Sequence, residues 1–110
     1  MINFDDFKKI DIRVGTIIEA EYNEKSLKPS LKLIIDFGQS IGLKKTSAQL
    51  TKHYNPDILI GRQIAAVVNF PPKQIGKMIS EVLVLGFPDD TNDPVLITPT
   101  KKVLNGGKLF

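Results

Sequence analysis

The stretch from Leu31 to Gly38 constrains the fold of this chain most: Leu31, Leu33, Ile35 and Phe37 alternate with Lys32 and Asp36 until a glycine ends the run. Side chains of an extended strand point to opposite faces at a period of two, so the pattern predicts a strand with one face in a core and the other toward water. The same period begins earlier. From Asp11 onward, Ile12, Val14 and Ile18 are expected on one side of a long first strand, with Arg13, Glu19 and Glu21 on the other. Gly15 within it predicts a bulge or sharp bend. The polar residues 23–29 separate these two strands. A third, shorter strand is expected over 41–47, divided from the second by Gly38-Gln39-Ser40, a gap of hairpin size.

Farther along, residues 63–69 (QIAAVVN) and 81–85 (EVLVL) are almost continuously apolar over strand length, which predicts central strands buried on both faces. Pro71-Pro72 stops the first of them. One more short strand is expected over 95–97, and Asn105-Gly106-Gly107 is turn chemistry before an extended 108–110. Helical signals are slight. Phe4 and Phe7 flank Asp5 and Asp6, acidic residues that suit the first turn of a short helix. Leu50 and Tyr54, four apart, predict a helical turn or two that Asn55-Pro56 should end. About six short strands with Gly and Pro between them argue an all-β barrel or sandwich over alternating βαβ units. A small, partly open Greek-key barrel fits this count, and periodicity alone equally admits an SH3-like barrel or a compact sandwich.

With 110 residues the chain has the size of one domain, expected to span 1–110, and enough length for a single core without covalent staples. It has no cysteine, which removes disulfides, thiol catalysis and thiolate metal sites, and suits the cytoplasm. The opening MINFDDFKKI has neither the basic start nor the apolar run of a signal peptide, and nowhere do about 18 apolar residues run together. No membrane insertion is expected.

The net charge of +3 is unevenly placed: residues 28–80 carry eight Lys and Arg against Asp36 and Asp57, a net of +6, between mildly acidic ends. A positive centre of this kind is the footprint expected for a phosphate-bearing partner, and equally describes a barrel surface with scattered lysines.

Catalytic chemistry finds little to work with. A single histidine, His53, excludes a multi-histidine metal site, and nothing in the sequence brings Ser47 or Ser80 to it. Beside Lys52 and Tyr54 it reads as a surface residue or a phosphate contact. The carboxylate pairs Asp5-Asp6 and Asp89-Asp90 are adjacent in sequence, poorly disposed to flank a substrate as acid and base, and read as loop or cap charges. No glycine-rich phosphate cradle occurs. The expectation is a protein that is not an enzyme, with no metal and no cofactor.

Two features can build a binding surface. Basic residues stand beside aromatic ones at Lys52-His53-Tyr54 and at Phe70-Pro71-Pro72-Lys73, followed by Lys77, where lysines can neutralise phosphates while a ring stacks on an unpaired base. Phe70, Pro71, Pro72, Ile75, Met78 and Ile79 also place apolar surface around an expected loop, where a ligand, a partner subunit or the protein's own barrel must cover it.

Taken together, these segments resemble the tRNA-binding domains that occur free-standing and appended to aminoacyl-tRNA synthetases. The resemblance rests on Asp11-Ile-Arg-Val-Gly-Thr-Ile17, Leu31-Lys-Leu33 with Asp36-Phe-Gly38, Ser47-Ala-Gln-Leu-Thr-Lys-His-Tyr54, Asn69-Phe-Pro-Pro-Lys73 and Ser80-Glu81, and runs nearly end to end. Ser47-Ala-Gln49, Ala66-Val-Val-Asn-Phe-Pro-Pro72 and Ser80-Glu-Val-Leu-Val-Leu-Gly86 make the chain more similar to the free-standing branch associated with chaperone activity and protein export, and Val82 and Leu83 stand where synthetase-type members carry Gly-Met. That resemblance implies an OB fold, a five-stranded Greek-key β-barrel with short helices and terminal extensions, and a homodimer.

It also implies a groove that binds tRNA, unfolded or export-destined polypeptide, or both, in contact with the export machinery. Lys32, Lys52, Lys73, Ser80 and Glu81 fall near the nucleic-acid face by this resemblance, with Phe70 and Pro72 in an apolar pocket. Added to the residue-level reading, the expected tRNA contacts are Lys32, Lys52, His53, Lys73, Lys77, Ser80 and Glu81. The expected polypeptide contacts are Phe70, Pro71, Pro72 and Ile75. A free-standing tRNA-binding module without a chaperone role is the alternative.

Overall fold

The computed structural model describes residues 1–24 and 27–110, so Lys25 and Ser26 of the polar link lie outside the described residues. Five strands form one antiparallel sheet in the order β3-β2-β1-β4-β7: β1 (Ile12–Tyr22), β2 (Leu31–Asp36), β3 (Leu43–Ala48), β4 (Gln63–Val67) and β7 (Leu83–Val84). The sheet curls into a nearly closed barrel of OB type. Two small hairpins complete it, β5 (Lys73–Ile75) with β6 (Met78–Ser80), and β8 (Gly86–Pro88) with β9 (Pro94–Leu96).

The alternation in β2 maps directly onto the core. Leu31, Leu33, Ile35 and Phe37 are fully buried, and they pack with Ile17, Leu59, Ile64 and Ala66 into one cluster. Strand β4 is buried at all five positions, because one face meets this core while Gln63 and Ala65 are covered by the segments at Val103 and Ile97.

The first strand turns inward on a different set from the one its apolar residues indicate. Gly15 and Ile17 are buried, Ile12 and Val14 are half-buried, and Ile18 is exposed. A bulge between Ile17 and Glu19 leaves Ile18 as an extra residue and resets the register beyond it. Gly15 lies ahead of this bulge and serves another purpose: a Cβ there would stand 2.7 Å from both Ile35 Cγ2 and Phe37 Cδ1. The close approach of the phenyl ring requires glycine at that point.

One other expectation changes and another is extended. Residues 81–85 do not form a strand buried on both faces, because β7 is the sheet's edge: it shrinks to two residues, and Leu83 is exposed. Asn55-Pro56 ends the expected turn and also opens a helix that the sequence reading does not place. Before it, the Tyr54 N–H donates to the Leu50 carbonyl in a single turn. Asn55 then caps α2 (Pro56–Leu59), its Oδ1 accepting the Ile58 N–H at 3.1 Å, and Pro56 takes the first helical position, where its fixed φ fits and its missing N–H costs nothing. At the amino end α1 (Phe4–Lys8) forms as expected, with a capping box between Asn3 and Asp6.

Candidate functional site

Strands β3 and β7 do not pair by a backbone ladder; side chains close most of the gap between them. The Glu81 N–H donates to the Lys45 carbonyl at 2.9 Å, and the Glu81 carboxylate accepts the Lys45 N–H at 3.0 Å. Ser80 Oγ accepts the Ser47 N–H at 2.9 Å, and the buried Thr46 hydroxyl donates to the Val82 carbonyl at 2.8 Å. Backbone groups along the outer edge of β3 are thereby satisfied by polar side chains that a ladder would not need.

Outside this seam runs an open groove of about 840 Å³. Its floor is the seam itself. Its apolar walls come from Leu50, Phe70, Pro71, Ile75, Leu83 and Val84, and one end is closed by Asn92 and Asp93 from the loop between β8 and β9. Phe70 and Leu83 are about half exposed, 51% and 49%, so both present ring or methyl surface to whatever enters. The charged lining consists of Lys52 and Lys73 against Glu81 and Asp93, which cancel. The groove is thus electrically neutral although the central segment is strongly basic.

Of the residues expected from sequence, Lys52, Lys73, Ser80, Glu81, Phe70, Pro71 and Ile75 line this one groove. The others lie elsewhere. Lys32 sits on the outward face of β2, 3.8 Å from Glu21. Lys77 is exposed in the turn between β5 and β6, and Pro72 is exposed just before β5. Tyr54 is a half-buried wall residue whose hydroxyl accepts the Leu96 N–H at 2.9 Å.

Lys52 and His53 are both held by the acidic loop. Lys52 Nζ lies 3.0 Å from Asp93 Oδ2 and also reaches the Thr91 hydroxyl. His53 Nε2 lies 2.6 Å from Asp89 Oδ2. Asp89 organises the loop: its Oδ1 accepts the N–H groups of Thr91 at 2.8 Å and Asp93 at 2.9 Å, and Asn92 adopts a positive φ of 64° to complete the turn. The Asp89 carboxyl is held well below the usual carboxylate range, chiefly by the Asp93 N–H, with His53 and Thr91 adding to it. Asp93 is also lowered, first by the Thr91 hydroxyl and then by Lys52.

These acidic partners escaped the sequence reading because Asp89 and His53 are 36 residues apart. The run Asp89-Asp-Thr-Asn-Asp93 was itself the available signal, a dense acidic loop in a basic chain. Among the described residues, no group of three or more His, Asp or Glu is placed to hold a metal ion, and no helix is long and apolar enough to cross a membrane.

A family model described as a putative tRNA-binding domain matches residues 12–108. The chain belongs to the tRNA-binding domain family. Among curated relatives, the methionine–tRNA ligase of Methanococcoides burtonii is 38% identical over 106 residues, covering 96% of this chain and 15% of that protein. The chain therefore spans about 15% of the length of the curated relatives it matches. Among solved structures, chaperone CsaA from Bacillus anthracis superposes with a TM-score of 0.94 at 49% identity, covering 100% of this tRNA-binding domain and 99% of that chain. The CsaA chaperone protein from Picrophilus torridus gives 0.92 at 50% identity, with both chains fully covered.

Proposed function

We propose that this tRNA-binding domain, acting as a single unit over 1–110, is a non-catalytic, CsaA-like chaperone whose groove binds unfolded or export-destined polypeptide in the cytoplasm. The observation that carries the proposal is the electrical neutrality of a groove whose walls present exposed Phe70, Pro71, Ile75 and Leu83. Apolar walls with balanced charge favour a segment of extended chain over a polyanion, since the affinity of nucleic acid comes largely from uncompensated cations. The likeness in sequence and shape to two CsaA chaperones supports the same assignment.

Binding of tRNA is the second activity, favoured by the family match and by Lys73 and Lys77, which form no ion pair among the described residues. Both lie on the hairpin β5–β6, Lys73 in the groove lining and Lys77 exposed in the turn outside it, where a phosphate backbone can approach. A homodimer accompanies this reading. Exposed Ile2, Phe4, Leu109 and Phe110 belong to segments anchored beside the start of β1, where the Leu109 N–H donates to the Ile12 carbonyl and Asn69 Nδ2 donates to the Lys9 carbonyl. Apolar surface gathered from both terminal segments is the kind that a second copy covers.

Parallel titrations with labelled tRNA and with an unfolded polypeptide, each at about 50 and 200 mM salt, test the assignment. Polypeptide affinity that persists at the higher salt supports the groove. Tight, salt-sensitive tRNA binding with no polypeptide binding reduces the protein to an RNA-binding module.

A further inference from the structure

Among the described residues, Lys52 is the one groove cation with an ion-pair partner, and that partner is supplied by a loop remote in sequence. Its ammonium lies 3.0 Å from Asp93 Oδ2 while the Thr91 hydroxyl sits 2.8 Å from the same oxygen. Both ends of the pair are partly open to solvent, 47% for Lys52 and 33% for Asp93. A pair so exposed contributes little to stability, because water screens it and two side chains must be ordered to make it. The loop does not depend on it either: Asp93 serves the turn through its main chain, its N–H bonded to Asp89 Oδ1 and its carbonyl to the Asp89 N–H. Beyond accepting the Thr91 hydroxyl, which an asparagine amide oxygen can also do, the Asp93 carboxylate engages only Lys52 among the described residues, so its charge acts mainly on the groove.

We propose that Asp93 is a specificity-determining residue that keeps phosphate out of the groove by occupying Lys52. This rests on the proposed polypeptide-binding role. Removing the Asp93 charge changes the lining from neutral to +1, with Lys52 unmasked in it. A nucleic-acid phosphate then meets the cation that the carboxylate otherwise fills, whereas an uncharged polypeptide segment meets the same apolar walls as before. Discrimination of this kind works by a penalty against the competing ligand more than by any gain for the favoured one.

The test compares wild type, Asp93→Asn, Lys52→Gln and the double variant, titrated with total tRNA across about 50–200 mM salt and with one unfolded polypeptide. Asp93→Asn keeps the shape and both main-chain bonds. It is expected to bind tRNA more tightly at low salt, with one added phosphate contact that costs an extra fall of about threefold in affinity across that salt range. Polypeptide affinity should stay within about twofold. The double variant should lose the gain, and Lys52→Gln alone should leave the tRNA salt slope at its wild-type value because Lys52 is already occupied. Equal tRNA curves for wild type and Asp93→Asn, including no binding by either, overturn the proposal. So does a shallower slope in Lys52→Gln alone, which decides the matter even if Asp93→Asn fails to fold. Failure of the functional reading shows separately, as absence of polypeptide binding by wild type.

Discussion

Glu81 binds Lys45 twice, donating its own N–H to the Lys45 carbonyl at 2.9 Å and accepting the Lys45 N–H on its carboxylate at 3.0 Å. The second bond replaces a rung that the β3–β7 seam lacks. Truncation to alanine leaves the Lys45 N–H to water or to nothing, at a cost of about 1–2 kcal/mol for a charge-assisted bond. For a domain of this size, Glu81→Ala should therefore lower the thermal midpoint by about 4–10 °C. An unchanged melting curve would mean that the seam is held by β6 and Val82 alone.

Gly15 carries a sharper penalty. With a methyl group placed 2.7 Å from Ile35 Cγ2 and Phe37 Cδ1, Gly15→Ala forces a fully buried ring to move in a close-packed core. Overpacking of that kind costs about 1–3 kcal/mol, measured by denaturant unfolding. A partner change that removes the clashing atom, Ile35→Ala, should cost less in the Gly15→Ala background than in wild type, a coupling that an effect on backbone conformation alone would not show.

The residues that made the fold legible and those that hid the site differ in one physical respect, the range over which the deciding interaction acts. Leu31, Leu33, Ile35 and Phe37 all point from one extended segment into the core, so neighbour spacing suffices to place them. In β1 the same reasoning points to the wrong residues. The inward position is a glycine without a hydrophobic signal, Ile18 is displaced by the bulge, and Val14 is bonded on its edge to Gly106 and Gly107 from the far end of the chain. Local pattern also marks Lys52 and Phe70 as candidates for one binding surface, but not the ion pairing beside them. That is fixed by Asp93 and Asp89, which reach Lys52 and His53 only after the β8–β9 hairpin has folded back over the turn that follows β3.

Asp89 makes this loop sensitive to acid. Its folded-state affinity for protons is lowered, so it contributes stability that is fully present above the unfolded aspartate pKa of about 3.9 and is lost as pH falls below that value toward the folded one. Wild type should then lose stability between about pH 4 and more acidic conditions more steeply than Asp89→Asn, whose loop has no carboxylate to protonate. Unfolding curves at pH 7 and near pH 3 for both proteins give the comparison. Parallel pH dependences would show that the loop is no more stable in the ionised than in the neutral state of Asp89.

Phe70 separates a binding residue from a packing residue more cleanly than any other wall of the groove. Half of its surface is open, and it belongs neither to the buried core cluster nor to the partly buried shell packed against it. Truncating it should therefore leave the unfolding midpoint within experimental scatter. As an aromatic in an apolar wall, it is the residue type that anchors a bound chain, for which alanine costs about 1–2 kcal/mol, or roughly 5- to 30-fold in Kd. Phe70→Ala is expected to weaken unfolded-polypeptide binding by that factor while leaving the salt slope of tRNA binding intact. Lys73→Glu, three residues on at the start of β5, should do the reverse. If Phe70→Ala lowers the melting temperature and spares polypeptide binding, the ring supports the β5–β6 hairpin and the ligand lies against Leu83 and Ile75 instead.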